Sequence, residues 1–248
     1  PGFSSRARGG TPSVMLFGWL PVDPLAPRVG VLAAMGRALR VTDAQRIDVF
    51  PGAPVAVGVV RSGLSTGESS EPARGADGSL LWMSGEAFEG PARLLLTDVR
   101  ESWTLAFRQR LLQALEEVGP EAVRDLDGEY QIAWWRPATR SLVLINDRFG
   151  ACPLYVGRSA SGLAFGGGVR GVLMAPGIDA TPDLDAIREA VTFGGYRLGS
   201  RTNVRGVQML PPGVCATVSS TDVSLRRYWT WQELPAEQGG DRATLMDE

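Results

Sequence analysis

The chain contains no histidine, and all 25 of its basic side chains are arginine. The first absence removes an imidazole general base, and with it the Ser-His-Asp and Cys-His devices. The second removes a Schiff-base amine and the lysine of a Walker phosphate loop. Asparagine occurs only at Asn146 and Asn203. Cysteine is as scarce: Cys152 and Cys215 build neither a disulfide framework nor a metal-ligand spacing. With no histidine or lysine to lower their pKa, both read as small buried hydrophobes. No apolar run approaches the roughly 18 residues that cross a bilayer. The opening PGFSSRARGGTPS is polar and lacks the apolar stretch of a secretory signal. A net charge of −2 argues against nucleic acid or an anionic lipid surface as partner. Together these absences lead us to expect a soluble cytoplasmic protein without nucleic-acid or membrane partners.

What is present can fold. The 248 residues are 44% hydrophobic, enough for one large core or two small ones. Residues 1–13 lack periodicity and read as a flexible arm, followed by an apolar strand pattern in VMLFGWLPV, 14–22. Helical spacing over 29–40 is weakened by Gly30 and Gly36. A strand pattern over 53–62 leads into a Gly/Ser/Pro-rich loop over 62–78, with Arg74 in a turn. SLLWMSGEAFEG, 79–90, reads as a strand, and 92–98 as a second strand or a connector. Trp103, Phe107, Leu111 and Leu115 recur every four residues, which predicts an amphipathic helix over 101–118, stopped by Gly119-Pro120. EYQIAWW, 129–135, and SLVLIND, 141–147, flank a hairpin loop. After a short strand at 162–168 comes a helix over 183–194, with Asp183 as N-cap. Short strands around 213–220 and 223–231 precede a polar tail. Helices alternating with hairpin-joined strands give an α+β class with antiparallel sheets.

One block goes further. LDGEYQIAWWRPATRSLVLINDRFGACPLYV, 126–156, resembles the LDG.FAFALWD...L.L.RDRFG.KPLYY block of the class II glutamine amidotransferase domain in the asparagine synthetase family. The likeness continues in order. GLAFGGGVRGVL is similar to L.FASEIKALL, and PDLDAIREAVTFGGY to LD..AL.EYLTFGY. RTNVRGVQMLPPGVCATV is similar to RT.F.GV..LPPGH..TV, and RRYW to the closing RYW. Upstream, LLWMSGEAFE stands where the family carries NGEIYN, so collinear likeness covers about residues 80–231. The resemblance implies a four-layer αββα Ntn-hydrolase sandwich over 14–231, with 232–248 a linker toward a C-terminal synthetase domain. The synthetase half of the family carries an SGG.DS phosphate loop, which has no counterpart here. Gly166-Gly167-Gly168 has no serine or lysine to grip a phosphate and reads as a strand-end turn. ATP and magnesium are therefore expected only with the synthetase half, and this segment is expected to hold no cofactor and no metal.

An active domain of this family hydrolyses glutamine with an N-terminal cysteine, using its own α-amine as base and an asparagine in the oxyanion hole. Aligning VMLFGW with the family's CGIAGW on Gly18-Trp19 puts Val14 in the nucleophile's place. Residues 1–13 precede it, so even a cysteine there would lack a free amine. The oxyanion asparagine corresponds to Ser84, with Gly85 and Glu86 retained, and the glutamine-binding aspartate corresponds to Phe107. Phe107 also lies on the apolar stripe of its helix, where core packing is the plainer role. The resemblance thus implies degenerate glutaminase positions at Val14, Ser84, Gly85 and Phe107, and no catalytic residue in this segment.

The Asp147-Arg148 pair enters a turn between strands. It is expected to fix a corner or face the synthetase half, with Phe149 anchored in the core and Gly150 and Pro153 setting direction. Family members without the cysteine adenylate a carboxylate that an internal amine then attacks. Lasso-peptide macrolactam cyclases and β-lactam synthetases are of this kind, and the cyclase is favoured because a peptide substrate rewards a retained surface. The expected partners are a synthetase domain, a precursor peptide and leader-processing proteins. Alternative readings are a non-catalytic scaffold or peptide-recognition module, a β-lactam synthetase, or an asparagine synthetase.

Overall fold

The computed structural model describes residues 15–52, 55–62, 70–91, 94–195, 199–219 and 222–233. The arm at 1–13, Val14 and the tail from 234 onward lie outside the described residues. Strand β1 (Met15–Pro21) is apolar without alternation because both of its faces are covered. Leu16 and Leu20 point between two sheets, while Phe17 and Trp19 point toward helices. At Gly18 a Cβ would collide with the Phe165 ring and the Ala56 carbonyl, so glycine lets these strands pack.

The first antiparallel sheet has the order β10 (Val207–Met209), β8 (Tyr155–Ser159), β9 (Gly162–Gly166), β1, β3 (Ala56–Arg61), β2 (Arg46–Phe50). The second runs β12 (Val223–Arg227), β11 (Val214–Val218), β7 (Ser141–Asn146), β6 (Asp127–Arg136), β5 (Leu80–Glu89), β4 (Ala73–Arg74). Helix α1 (Arg28–Leu39) and the short α3 (Val169–Val172) cover the first sheet through Leu32, Met35, Leu39 and Val172. Helix α2 (Leu105–Val118) covers the second, setting Phe107, Leu111 and Leu115 against Tyr130, Ile132 and Trp134. Between the sheets, Leu16, Val57 and Val59 meet Trp82, Ala133, Trp135 and Leu144. The layers are therefore helix, sheet, sheet, helix, the expected αββα sandwich. Among the described residues no helix is long and apolar enough to cross a membrane.

Several boundaries differ from the sequence expectation. Helix α2 starts at Leu105 rather than 101, because Thr104 caps it, its hydroxyl accepting from Phe107 N at 3.1 Å. Trp103 closes a separate 3-10 helix, Val99–Trp103, whose Asp98 carboxylate accepts from Arg100 N at 2.8 Å. Arg74 lies in strand β4, and the turn to β5 follows it, closed by Gly75 N donating to Ser79 O at 2.9 Å. No strand forms among the described residues of 92–98, where Leu94 alone is fully buried. The capping role of Asp183 is realised: it opens α4 (Leu184–Thr192), accepting from Ala186 N at 3.1 Å. Val191 and Phe193 at the far end of that helix nevertheless stand 79% and 50% exposed.

Candidate functional site

Strand alternation sends Trp82, Ala133 and Leu144 between the sheets, and two residues further toward the sheet end the same faces carry Ser84, Gln131 and Asn146. Ser84 pairs with Gln131 across β5–β6, and Gln131 with Asn146 across β6–β7, so the three form one polar rung. They are only 3%, 2% and 1% exposed. The rung faces the start of β1. Gln131 Oε1 accepts from Leu16 N at 3.0 Å and from Ser84 Oγ at 3.2 Å. Its Nε2 donates to Pro153 O at 2.7 Å. One carboxamide thus ties β1, β5 and the segment before β8 together, with both sheets engaged. Gly167 makes room for it, since a Cβ there would stand 3.1 Å from Nε2 and 2.9 Å from Met15.

Of the positions that the resemblance marks, Ser84 and Gly85 lie at this mouth and Phe107 does not. Ser84 is in the rung. Gly85 beside it has φ +94°, and any side chain would strike the Glu129 carbonyl, so glycine is required by the backbone whatever the chemistry. Phe107 is fully buried on α2, in the cluster on the other side of the second sheet. Val14 lies outside the described residues, and Met15 after it opens β1. Gln131, the residue that fills the mouth, was not singled out from the sequence. The signal is a polar residue within the apolar run YQIAWW, at a position where the quoted family block carries alanine.

The Asp147–Pro153 corner adjoins the rung through Asn146. The fully buried Asp147 carboxylate accepts from Phe149 N and Ala151 N at 3.0 Å and from Cys152 N at 2.9 Å. Its carbonyl accepts from Gly150 N and Gly213 N. Gly150, at φ +67°, packs its α-carbon toward Pro212. Arg148 is drawn away from its neighbour to Asp127, at 2.6 Å, and lies over the rings of Phe149 and Trp229. Phe149 does not anchor in the core; it is 60% exposed and meets Trp229 edge-on, centroids 5.0 Å apart. The core place beside the turn is taken by Leu154 and Trp229 instead. Tyr228 Oη donates to Asn146 O at 2.6 Å, and Asn146 Nδ2 to Leu210 O at 3.0 Å. The DRFG, LPPG and RYW blocks, far apart in sequence, converge on this one corner.

Among the described residues no activated nucleophile stands at the mouth. Cys152 is half-buried, and burial first, then the charges of Asp147, Glu129 and Glu86, push its thiol up to about 12. Burial likewise raises the Cys215 thiol. Ser84 spends its proton on an amide oxygen, which is no general base. Among the described residues no cluster of three histidine, cysteine or carboxylate side chains could hold a metal ion. Gly166–Gly168 lies against Leu16, Met15 and Leu39. A groove between Asp77, Glu116, Trp134 and Arg136 lies on the outer face of the second sheet, away from the rung.

Comparison with known proteins places this geometry. Residues 108–229 match the glutamine amidotransferase domain family. A stretch of 119 residues is 26% identical to asparagine synthetase [glutamine-hydrolyzing] 3 of Bacillus subtilis (strain 168), covering 48% of this chain and 19% of that protein. The fold is similar to glutamine phosphoribosylpyrophosphate amidotransferase from B. subtilis complexed with ADP and GMP, with TM-score 0.55 and 11% identity. It is also similar to a structure described as the allosteric regulatory enzyme of purine biosynthesis, with TM-score 0.51 and 13% identity. Each structural match covers 87% of this chain and 49% of the other, so the chain spans about half of those molecules and a fifth of the curated relative. The family match begins one residue after Phe107, so Val14, Ser84, Gly85 and Phe107 all precede it. Residues 108–229 are thus similar to a glutamine amidotransferase domain, a stretch of the chain is similar to an asparagine synthetase, and the two-sheet sandwich is similar in fold to the phosphoribosylpyrophosphate amidotransferase.

Proposed function

We propose that the domain is the glutaminase-silent, amidotransferase-like half of an ATP-dependent amide-forming ligase. The observation that carries this reading is the Gln131 carboxamide, which takes up the hydrogen-bonding groups at the inter-sheet mouth where glutamine hydrolysis would be carried out. Valine at the nucleophile position and serine at the oxyanion position support it, because neither a thiol nor an asparagine amide is then available. Removing a nucleophile alone commonly costs about 10⁶ in rate. In such a ligase a synthetase half adenylates a carboxylate and an internal amine attacks the acyl group. That amine replaces ammonia, so glutamine need not be hydrolysed.

Within that class the reading is a lasso-peptide macrolactam cyclase, acting in the cytoplasm with a precursor peptide and leader-processing proteins. A peptide substrate gives a reason to keep a whole sandwich as contact surface. ATP and magnesium would belong to the synthetase half. A second reading is a non-catalytic scaffold or peptide-recognition module, and a β-lactam synthetase would use the same silent domain on a small substrate. An asparagine synthetase would require live glutamine hydrolysis.

The test is twofold. The protein is incubated with L-glutamine, and glutamate release is followed by a coupled assay, with background rates expected. The whole ligase, given ATP and a precursor peptide, should release AMP and yield a peptide lighter by one water. AMP release only with a small β-amino acid would select the lactam reading, and none with any carboxylate would select the scaffold.

A further inference from the structure

Gln131 bonds within its own sheet at Ser84 and across to β1 of the other at Leu16. Its environment is suited to the carboxamide rather than to the residue as a whole. The oxygen uses both acceptor sites, on Leu16 N and Ser84 Oγ, and the nitrogen donates to Pro153 O. Those partners come from three segments that share no strand, and Gly167 lines the remaining side without a side chain. Ser84, by the resemblance, stands in the place of an oxyanion donor, so an amide oxygen lies where an amide substrate's oxygen would be held. The surroundings also choose between an amide and an acid. A carboxylate at this point would aim a lone pair at the Pro153 carbonyl. It would also enter a region where Asp147, Glu129 and Glu86 already raise the neighbouring Cys152 thiol. A neutral donor-acceptor group fits, and an anion does not.

We propose that the inter-sheet mouth is a primary-amide binding site occupied by the chain's own Gln131, a tethered ligand that latches β1 to β5 and closes the pocket to free amides. The inference deepens the silent-glutaminase reading and rests on it for the role of Ser84. Truncation to alanine keeps the Cβ and deletes a fragment whose free counterpart is acetamide, so the site can be emptied and refilled.

The experiment compares the wild-type chain with Gln131→Ala by thermal unfolding, with acetamide, sodium acetate or no addition. We expect the variant to lose roughly 5–10 °C in Tm. Acetamide should recover part of that loss in the variant alone, and acetate none. L-glutamine should leave the wild-type Tm unchanged. Equal lowering of both proteins by acetamide, or recovery by acetate as well, overturns the inference. If Gln131→Ala does not fold, the wild-type protein decides by NMR. Its Gln131 side-chain amide protons should exchange at least 100-fold more slowly than those of a solvent-exposed glutamine, and exchange at the free rate overturns the proposal. Glutamate release from glutamine by the wild type would sink the silent reading separately. Without glutamate release, free exchange would sink only the tethered amide.

Discussion

The polar rung and the corner beside it are joined by one peptide bond, between Asn146 and Asp147, yet the family likeness treats them differently. At the corner the sequence follows the family closely, and each retained residue serves the backbone. Asp147 holds three amides, Gly150 takes a left-handed turn, and the LPPG and RYW segments dock against both. At the rung the resemblance sets Ser84 against an asparagine and Gln131 against an alanine, and the Gln131 amide fills the space. A requirement imposed by folding and one imposed by catalysis can therefore be separated over a few ångströms. Under the silent reading proposed above, the Gln131 amide satisfies polar groups that would otherwise be left without partners.

The widest gap between the two regions should be in stability. Asp147→Ala removes the buried charged acceptor of three part-buried amides, those of Phe149, Ala151 and Cys152, and should cost about 4 kcal/mol by urea unfolding. A loss under about 1 kcal/mol would break the comparison, since the corner would then not depend on its carboxylate. Gln131→Leu keeps apolar bulk but orphans Leu16 N, Ser84 Oγ and Pro153 O, and should cost about 2–3 kcal/mol in the same measurement. A neutral or stabilised variant would mean the rung is filled by volume alone.

A smaller effect is expected at α4. The Arg201 guanidinium beside Asp183, then the Ala186 amide, hold the Asp183 carboxyl below its ordinary range. A depressed folded pKa means the contribution is present above the unfolded pKa and lost as pH falls through the folded one. Asp183→Ala should therefore destabilise slightly at neutral pH, by less than either variant above. The difference should close as the solution is acidified below the usual carboxylate range. A gap that widens with acid would show the sign to be wrong. Least perturbing is chemical labelling of Cys152. With its thiol raised to about 12, it should alkylate with iodoacetamide at pH 8 at least tenfold more slowly than free cysteine, followed by mass spectrometry. Rapid labelling would expose a thiolate at the mouth that the geometry does not account for.

The corner was the more legible region because backbone needs leave strong residue-type marks: aspartate before a glycine turn, then proline. The α2 stripe was legible for the same kind of reason, as Phe107, Leu111 and Leu115 repeat with the turn of the helix. Its start was misplaced because Trp103 keeps the spacing while belonging to a 3-10 turn ended by the Thr104 cap. A core place for Phe149 does not follow from local pattern, because its ring beneath Arg148 and against Trp229 is held by a contact 80 residues away. Gln131 went unnoticed because a single polar residue leaves the strand pattern of EYQIAWW intact. Its meaning depends on which strand faces it across the sandwich. The partners on β1 and before β8 become neighbours only once both sheets are stacked.

The silent reading requires that this mouth does not process glutamine. The direct measurement is glutamate release by the purified wild-type chain under saturating L-glutamine, read beside a live asparagine synthetase of the same family. The account predicts a rate indistinguishable from buffer, unchanged by Ser84→Ala. Turnover within about 100-fold of the live enzyme, abolished by that substitution, would contradict it.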